Sequence, residues 1–554
     1  MADKLLRKSF CCFLIVLIGW LIFANSIHNS FLFDDEIYIV HNPNIQHLLN
    51  FRAISSDNIH RFFCTWTFAL NHALGGLKVE GYHAVNILIH IGCGLLVCWL
   101  FILILSAPKF SGSLLAVEKE TLGVWSALLF VCHPIQTMAV DEITQRYTLL
   151  AAFFYLVSVC FYLKARLSAE GMSWKFLALS FLTGAIGIFC RENFVTLPLV
   201  IVLLEVLILD QGRKLVRNWV WVPFLLIPIL ILFTYHFNFS GVLNANFPSE
   251  SHQGEEVNAF NYFLTQGRVM MIYLRLLFWP SPLNFEYDIR LSQHVGDPAV
   301  LAGFFVIGAL LFLAWRCRTR YPLLSFGIFW FFLTLSVDST IIPIPYVIAE
   351  YRLYLPLFGF CLAFVTTLRG LIQDKRILTV LMGMIILVFA LLTMQRNGAY
   401  QDEVTLWTDT VAKSPNNSRS YAFLGYAYIN NKEYSQALVC FNKALALDPS
   451  DNMTMINLAQ LYTYTGDLDK SIAINQRLLH IYPFTTVYNN LGVAYKLKGD
   501  WPHALYYFLK AKKSPNASRY AEQINLNLAE IYMYEGKRKD AIRAYLKLPL
   551  ILNL

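Results

Sequence analysis

Charge is scarce in this chain. Only 14% of its 554 residues are Asp, Glu, Lys or Arg, whereas 57% are hydrophobic. A soluble protein of this length cannot bury so much apolar surface, so the composition implies a multi-span membrane protein. Paired cysteines are also missing. Of eleven Cys, only Cys64 and Cys440 lie clearly outside the apolar runs, and no Cys-x-x-Cys occurs. Neither a disulfide framework nor a zinc site is expected. There is no concentrated basic face either. The net charge of +8 is spread over short loops between apolar runs, so no nucleic-acid partner is expected.

What the chain has instead is a series of apolar runs. They fall at about 10–27, 82–105, 122–140, 147–163, 176–190, 194–209, 219–237, 299–315, 321–338, 346–368 and 377–394. Lys4, Arg7 and Lys8 precede the first. Further basic clusters occupy the loops at Lys164, Arg166 and Lys175, at Arg213, Lys214 and Arg217, at Arg316, Arg318 and Arg320, and at Arg369, Lys375 and Arg376. With these loops cytoplasmic, the runs alternate as about eleven spans, Met1 inside and Leu554 outside. The first run then reads as a signal anchor, since Ala24-Asn25-Ser26 is a poor cleavage site. The segment Tyr262 to Trp279 carries Arg268 and Arg275 within an apolar run. It is read as an interfacial or re-entrant helix on the outer face.

Charges at a membrane face are costly unless paired or used. Asp34-Asp35-Glu36 follows directly on the first span. Arg61, Asp141, Glu142, Arg146, Arg191, Glu192, Glu350 and Arg352 gather on the same predicted side, most of them at span ends or in short turns. Any one pair reads as a structural ion pair. Mixed acids and arginines collected at one face point instead to a site for an anionic substrate. Arginine suits phosphate because its planar fork donates two parallel, charge-assisted hydrogen bonds.

Beyond about residue 396 the chain becomes polar and periodic. Pro415, Pro449 and Pro483 stand 34 residues apart, the tetratricopeptide period. Leu424-Gly425, Tyr428, Ala437, Phe441 and Ala444 fit the first repeat, and Leu458-Ala459, Tyr462 and Ser471 the next. Leu491-Gly492, Tyr495, Ala504, Phe508 and Ala511 make a third, and Leu528-Ala529, Tyr532, Ala541 and Tyr545 a fourth. Small residues let the paired helices approach, and aromatics fill the joints. The fold class is therefore all-α. A polytopic membrane domain over 1–396 leads through a linker helix at 397–417 into an α-solenoid of three to four repeats over 418–554. The repeats offer a concave surface for peptide or protein and carry no residues that suggest chemistry.

In this order the features resemble the transmembrane and tetratricopeptide-repeat O-mannosyltransferase family, within the GT-C class of polyprenol-dependent glycosyltransferases, or a bacterial relative of it. The resemblance rests on Asp34-Asp35-Glu36, Arg61, Gly81-Tyr82-His83 with Asn86 and His90, and His133-Pro134-Ile135-Gln136. It continues with Arg146, Arg191-Glu192, Leu197-Pro198, Ala349-Glu350, Leu353-Tyr354-Leu355-Pro356 and Gln395-Arg396-Asn397. The chain departs from the family pattern at Phe62 (usually Pro), at Gln136 and Met138 (usually a His and an acid), and at Tyr351, which separates Glu350 from Arg352.

The resemblance implies transfer of a sugar, mannose, from a polyprenyl-phosphate donor to a hydroxyl of a protein acceptor held by the repeats. Asp34 or Asp35 would be the base. Arg61, Arg146, Arg191 and Arg352 are candidates for the phosphate, with Glu36, Glu192, Glu350, His83 and His90 in support. No cofactor is certain. A divalent metal is compatible with Asp34 and Asp35, because carboxylate oxygens suit magnesium or manganese. The implied location is the endoplasmic reticulum membrane or a bacterial inner membrane, with membrane lipids around the spans and the repeats on the lumenal or periplasmic side. The sequons at Asn238, Asn416, Asn452 and Asn516 fall on that side. Two other readings remain open. A non-catalytic membrane-anchored repeat scaffold would tolerate loss of the first-loop acids. A lipid-linked sugar transporter would need a polar path through the membrane, and the span middles hold almost no charge.

Overall fold

The computed structural model describes residues 2–169, 171–209, 219–234, 247–248, 256–344, 346–481, 483–514 and 517–546. The basic loop at Arg213, Lys214 and Arg217, Pro345, and the sequons at Asn238 and Asn516 lie outside these residues. Two compact units are present, the first ending at Asp409 and the second beginning at Thr410. The division falls inside the helix Glu403–Lys413, within the segment expected as the linker.

Each apolar run of the first unit contains helix over its described residues. Five helices are long and apolar enough to cross a membrane: Ser9–Ser26, Val79–Leu105, Ile143–Arg166, Pro298–Cys317 and Lys375–Tyr400. A sixth crossing arises if Lys119–Cys132 and Pro134–Asp141, bent by 52°, count as one. Trp174–Gly187, Trp219–Leu232, Pro322–Leu335 and Leu357–Leu371 are apolar but shorter. At 1.5 Å per residue, such helices reach roughly 21 Å of an apolar layer about 30 Å thick. The chain is a multi-pass membrane protein, and helix length alone supports five or six crossings. Tyr262 to Trp279 forms the helix Ala259–Phe278, which is not among the crossing helices. Arg268 on it donates to the carbonyl of Arg290 at 3.0 Å and to Ser292 Oγ at 3.2 Å.

Helix contact in lipid depends on small residues, because there is no water to expel. Pro322–Leu335 and Leu357–Leu371 meet at Gly327 and Gly359. A Cβ on Gly327 would lie 2.4 Å from the Gly359 carbonyl oxygen, and a Cβ on Gly359 would lie 2.4 Å from that of Gly327. Backbone cannot yield as a side chain can. Gly327→Ala is therefore expected to cost about 1–3 kcal/mol, the range for overpacking, read as a lower melting temperature of the purified protein.

The bend at Pro134 places the turn that follows it. Proline has no N–H to donate, and it pushes the residue before it out of the helical region. His133 sits at φ −71°, ψ 122°, and its Nδ1 accepts from the Ile135 N–H at 3.2 Å. The chain runs on through Thr137–Asp141, breaks at Glu142, and starts the long helix at Arg146.

In the second unit, four helix pairs follow one another: Ser418–Asn430 with Tyr434–Leu447, Asn452–Thr465 with Leu468–Ile481, Thr485–Leu497 with Trp501–Lys513, and Ala521–Tyr534 with Arg538–Tyr545. Phe441 packs on Gly425 and Phe508 on Gly492, each at the tight helix crossing inside its pair. The period read from the prolines is thus carried by side chains.

Candidate functional site

The first-loop acids stand where the first span is tied to the last. Asn25 Nδ2 donates to the Met394 carbonyl at 2.9 Å, and Asn29 Nδ2 to that of Asn397 at 3.2 Å. Asn397 Nδ2 returns bonds to the Ile22 carbonyl and to Asn25 Oδ1, both at 2.8 Å. Phe33 then takes a left-handed conformation, φ 47°, which costs a non-glycine residue about 1–2 kcal/mol. Its ring is held by edge contacts to Phe285 and Trp407, each at 5.8 Å. Strain of this kind collects at functional sites, and Phe33 directly precedes Asp34 and Asp35.

The two acids have different environments. Asp35 is fully buried. Its Oδ2 accepts the Leu32 N–H at 3.0 Å and its Oδ1 the Thr144 N–H at 2.8 Å. Burial pushes its carboxyl up to about 7, with these two N–H bonds acting against the rise. Asp34 is half-buried. Glu36 is partly exposed and sits 3.4 Å from His41 Nε2.

A third carboxyl, one of the charges gathered on the same predicted face but not among the candidate base residues, joins them. The Thr144 hydroxyl donates to Glu142 Oε1 at 3.3 Å and Gln145 Nε2 to the same oxygen at 3.2 Å. Thr144 thus bridges Asp35 and Glu142. Glu142 Oε2 has no hydrogen-bond partner among the described residues, and the side chain is buried. Burial raises its carboxyl well above the ordinary range, and Asp34 and Asp35 add to the rise. The sequence signal was the Asp141-Glu142 pair in a short turn. The bridge through Thr144 is a tertiary feature that no spacing reveals.

The four arginines lie in two places. Arg191 Nη1 donates to Thr148 Oγ1 at 2.6 Å and its Nη2 pairs with Asp338 at 3.1 Å. Arg352 gives Nη1 to the Tyr262 hydroxyl and to the carbonyls of Asp338 and Val347, at 3.1–3.3 Å, and Nη2 to the Tyr346 carbonyl at 2.5 Å. Both line one small cleft with Thr148, Asp338 and Tyr351. Arg61 adjoins this group through the Cys190 carbonyl (2.8 Å) and Glu192 (3.1 Å). Arg146 is apart. It is fully buried and donates to Asn86, Asn71, Thr67 and the Tyr82 carbonyl.

The supporting residues are likewise engaged. Glu350 Oε1 accepts the Asn284 N–H at 2.7 Å and the Tyr287 hydroxyl at 2.5 Å. His83 Nε2 meets the Asn29 carbonyl at 3.0 Å. His90 lies 2.7 Å from the Tyr354 hydroxyl and 3.2 Å from the Val131 carbonyl. Among the described residues no group of three or more His, Cys, Asp or Glu is placed to hold a metal ion. Both oxygens of Asp35 are already taken by backbone N–H groups.

The tetratricopeptide repeat family profile matches residues 418–451. The chain is 24% identical over 498 residues to mouse (Mus musculus) protein O-mannosyl-transferase TMTC3, covering 79% of this chain and 51% of that protein. It is 25% identical over 518 residues to the Drosophila melanogaster protein O-mannosyl-transferase Tmtc3, covering 79% and 55%. It is 26% identical over 451 residues to the Caenorhabditis elegans protein O-mannosyl-transferase F38B6.6, covering 77% and 61%. The chain spans about half the length of the first two relatives and about three-fifths of the third. Over more than three-quarters of its own length, this chain is similar to the transmembrane and tetratricopeptide-repeat protein O-mannosyl-transferases, the family its motifs resemble.

Proposed function

We propose that this chain is a membrane glycosyltransferase that moves mannose from a polyprenyl-phosphate donor to a hydroxyl of a protein acceptor, on the lumenal or periplasmic side. The observation that carries the reading is the first-loop acid pair, held by a strained turn and by a bridge to a third carboxyl, in a chain similar to protein O-mannosyl-transferases along most of its length. Asp34 is the base in this reading. Asp35 has both oxygens occupied by N–H groups and acts as the anchor that positions Asp34. The Asp34 carboxylate takes the acceptor hydroxyl proton. The acceptor oxygen forms a bond to the anomeric carbon, the bond from that carbon to the phosphate oxygen breaks, and the electron pair leaves with the phosphate. An ionised Asp is a weak base, so its placement against the attacking oxygen matters more than its basicity. Arg61, Arg191 and Arg352 form the cationic side on which the phosphate charge develops. The test is purified protein incubated with polyprenyl-phosphate mannose and a hydroxyl-bearing peptide. Appearance of a mannosylated peptide supports the reading.

One observation favours a scaffold without chemistry: Arg61, Arg146, Arg191 and Arg352 all have internal partners. A scaffold would be indifferent to the loss of Asp34.

In this reading the repeats present the acceptor. The last membrane helix ends at Asn397 and the first repeat helix begins at Ser418. So short a tether gives a high effective concentration of whatever the repeats hold. Deleting 418–554 is expected to leave transfer to a short soluble peptide nearly intact. Transfer to a long or folded acceptor should fall, through a raised KM more than a lowered kcat. Equal loss on both acceptors would make the repeats structural, and no loss on either would assign them to another partner.

A further inference from the structure

Arg396 stands in the last turn of the helix Lys375–Asn397 and is 7% exposed. Its Nη1 pairs with Asp409 at 2.5 Å. Its Nε and Nη2 are buried and have no acceptor among the described residues. These two N–H groups form one edge of the guanidinium, a pair of parallel donors that matches two oxygens of one oxyanion. The same edge is in use elsewhere in the chain. Arg166 gives Nε and Nη2 to the two oxygens of Glu205 at 2.6 and 3.0 Å. Arg369 gives the same two atoms to Glu118 at 2.6 and 3.1 Å. Of these three edges, only that of Arg396 lacks its oxyanion. A buried donor left unpaired is destabilising, and more so when it is charged, so a ligand is the economical explanation.

The surroundings supply further donors. The guanidinium lies 5.1 Å from the centroid of the Tyr400 ring, and the Tyr400 hydroxyl is buried without a partner. The turn Pro134–Gln136 packs against the same helix, and both polar atoms of the Gln136 side chain are buried and unpartnered. The Asn25 and Asn29 bonds to Met394 and Asn397 bring this helix end to the loop that carries Asp34 and Asp35. We propose that the Nε/Nη2 edge of Arg396, with the Tyr400 hydroxyl and the Gln136 amide, binds the phosphate of a lipid-linked phosphate ester. The two non-bridging oxygens of such an ester match the edge, and its tail can remain in the bilayer beside the helix. This rests on the function proposed above and adds a phosphate anchor to it. The competing occupant is Asp141, whose buried carboxylate lies near the Ser26 hydroxyl and within electrostatic reach of Arg396.

The test uses the full chain in lipid nanodiscs and a fluorescent polyprenyl phosphate without sugar. Arg396→Lys keeps the charge and removes the two-donor edge. Its affinity for the probe is expected to fall about tenfold to a hundredfold, the range for hydrogen bonds to a charged group. Tyr400→Phe removes one hydroxyl and keeps the ring under the guanidinium. It should weaken the probe severalfold while the lipid-free protein melts at or above the parent temperature, which a merely structural hydroxyl would not allow. Asp141→Asn should bind the probe at least as tightly as the parent. Competition by millimolar inorganic phosphate that disappears in Arg396→Lys supports a site that reads phosphate alone. Competition by the polyprenyl ester only supports one that also needs the lipid. Parent-like affinity in both Arg396→Lys and Tyr400→Phe overturns the proposal and leaves the transferase reading standing. A parent that binds no polyprenyl phosphate overturns both.

Discussion

Asp34→Asn is expected to lower sugar transfer by about a hundredfold to ten-thousandfold, the range supplied by a positioned base, with little change in melting temperature. The amide keeps the shape of the carboxylate and cannot accept a proton. Asp34 is only half-buried, so the fold should tolerate the change. Asp35→Asn is a different experiment. Both Asp35 oxygens accept backbone N–H groups, from Leu32 and Thr144. An amide would turn an NH2 toward one of these donors. Asp35→Asn should therefore lose transfer and stability together. The contrast separates the base from its anchor: a stable, inactive Asp34→Asn beside an unstable Asp35→Asn supports the assignment. Parent-like transfer by Asp34→Asn would remove Asp34 from the chemistry.

Arg146→Met is expected to destabilise the membrane unit by about 3 kcal/mol or more. The guanidinium donates to Asn86 Oδ1 at 2.7 Å, Asn71 Oδ1 at 2.7 Å and the Tyr82 carbonyl at 2.9 Å. Its carbon lies 4.5 Å from the Phe68 ring centroid. Methionine leaves those three acceptors without donors, each at about 1 kcal/mol or more. The full burial of Arg146 means that binding phosphate would require giving up these bonds. The role we propose for it is to hold the start of the helix Arg146–Arg166 against the helices Phe62–Gly75 and Val79–Leu105. The melting temperature should fall by several degrees, with the KM for the lipid donor unchanged in the folded fraction. A large rise in donor KM at unchanged stability would return Arg146 to the phosphate site.

The sequence reveals the parts of this protein that repeat or that avoid water. The apolar runs become helices because lipid tolerates only backbone that satisfies its own hydrogen bonds. The tetratricopeptide pairs follow from proline period and small-residue spacing, and Gly425 meets Phe441 as that spacing requires. Asp34 and Asp35 are conspicuous in the sequence because three acids in a row stand directly at the end of a span. The difference between their environments is not visible there, since it depends on the Thr144 N–H, more than a hundred residues away. The pairing of Asp338 with Arg191 is hidden for the same reason, since it joins two distant segments of the chain. The arginines show the limit most plainly. By type and side of the membrane, Arg61, Arg146, Arg191 and Arg352 are equivalent. Only the bonds to Asn71 and Asn86 distinguish Arg146, and only the unpartnered Nε and Nη2 distinguish Arg396.

The account stands most directly on one measurement: transfer of radiolabelled mannose from a polyprenyl-phosphate donor to a hydroxyl-bearing peptide, by the purified chain and by its Asp34→Asn variant side by side. Label in the peptide with the parent, falling at least a hundredfold with a variant that melts like the parent, is the predicted result. Label that appears equally with both, or with neither while the parent is folded, would contradict it.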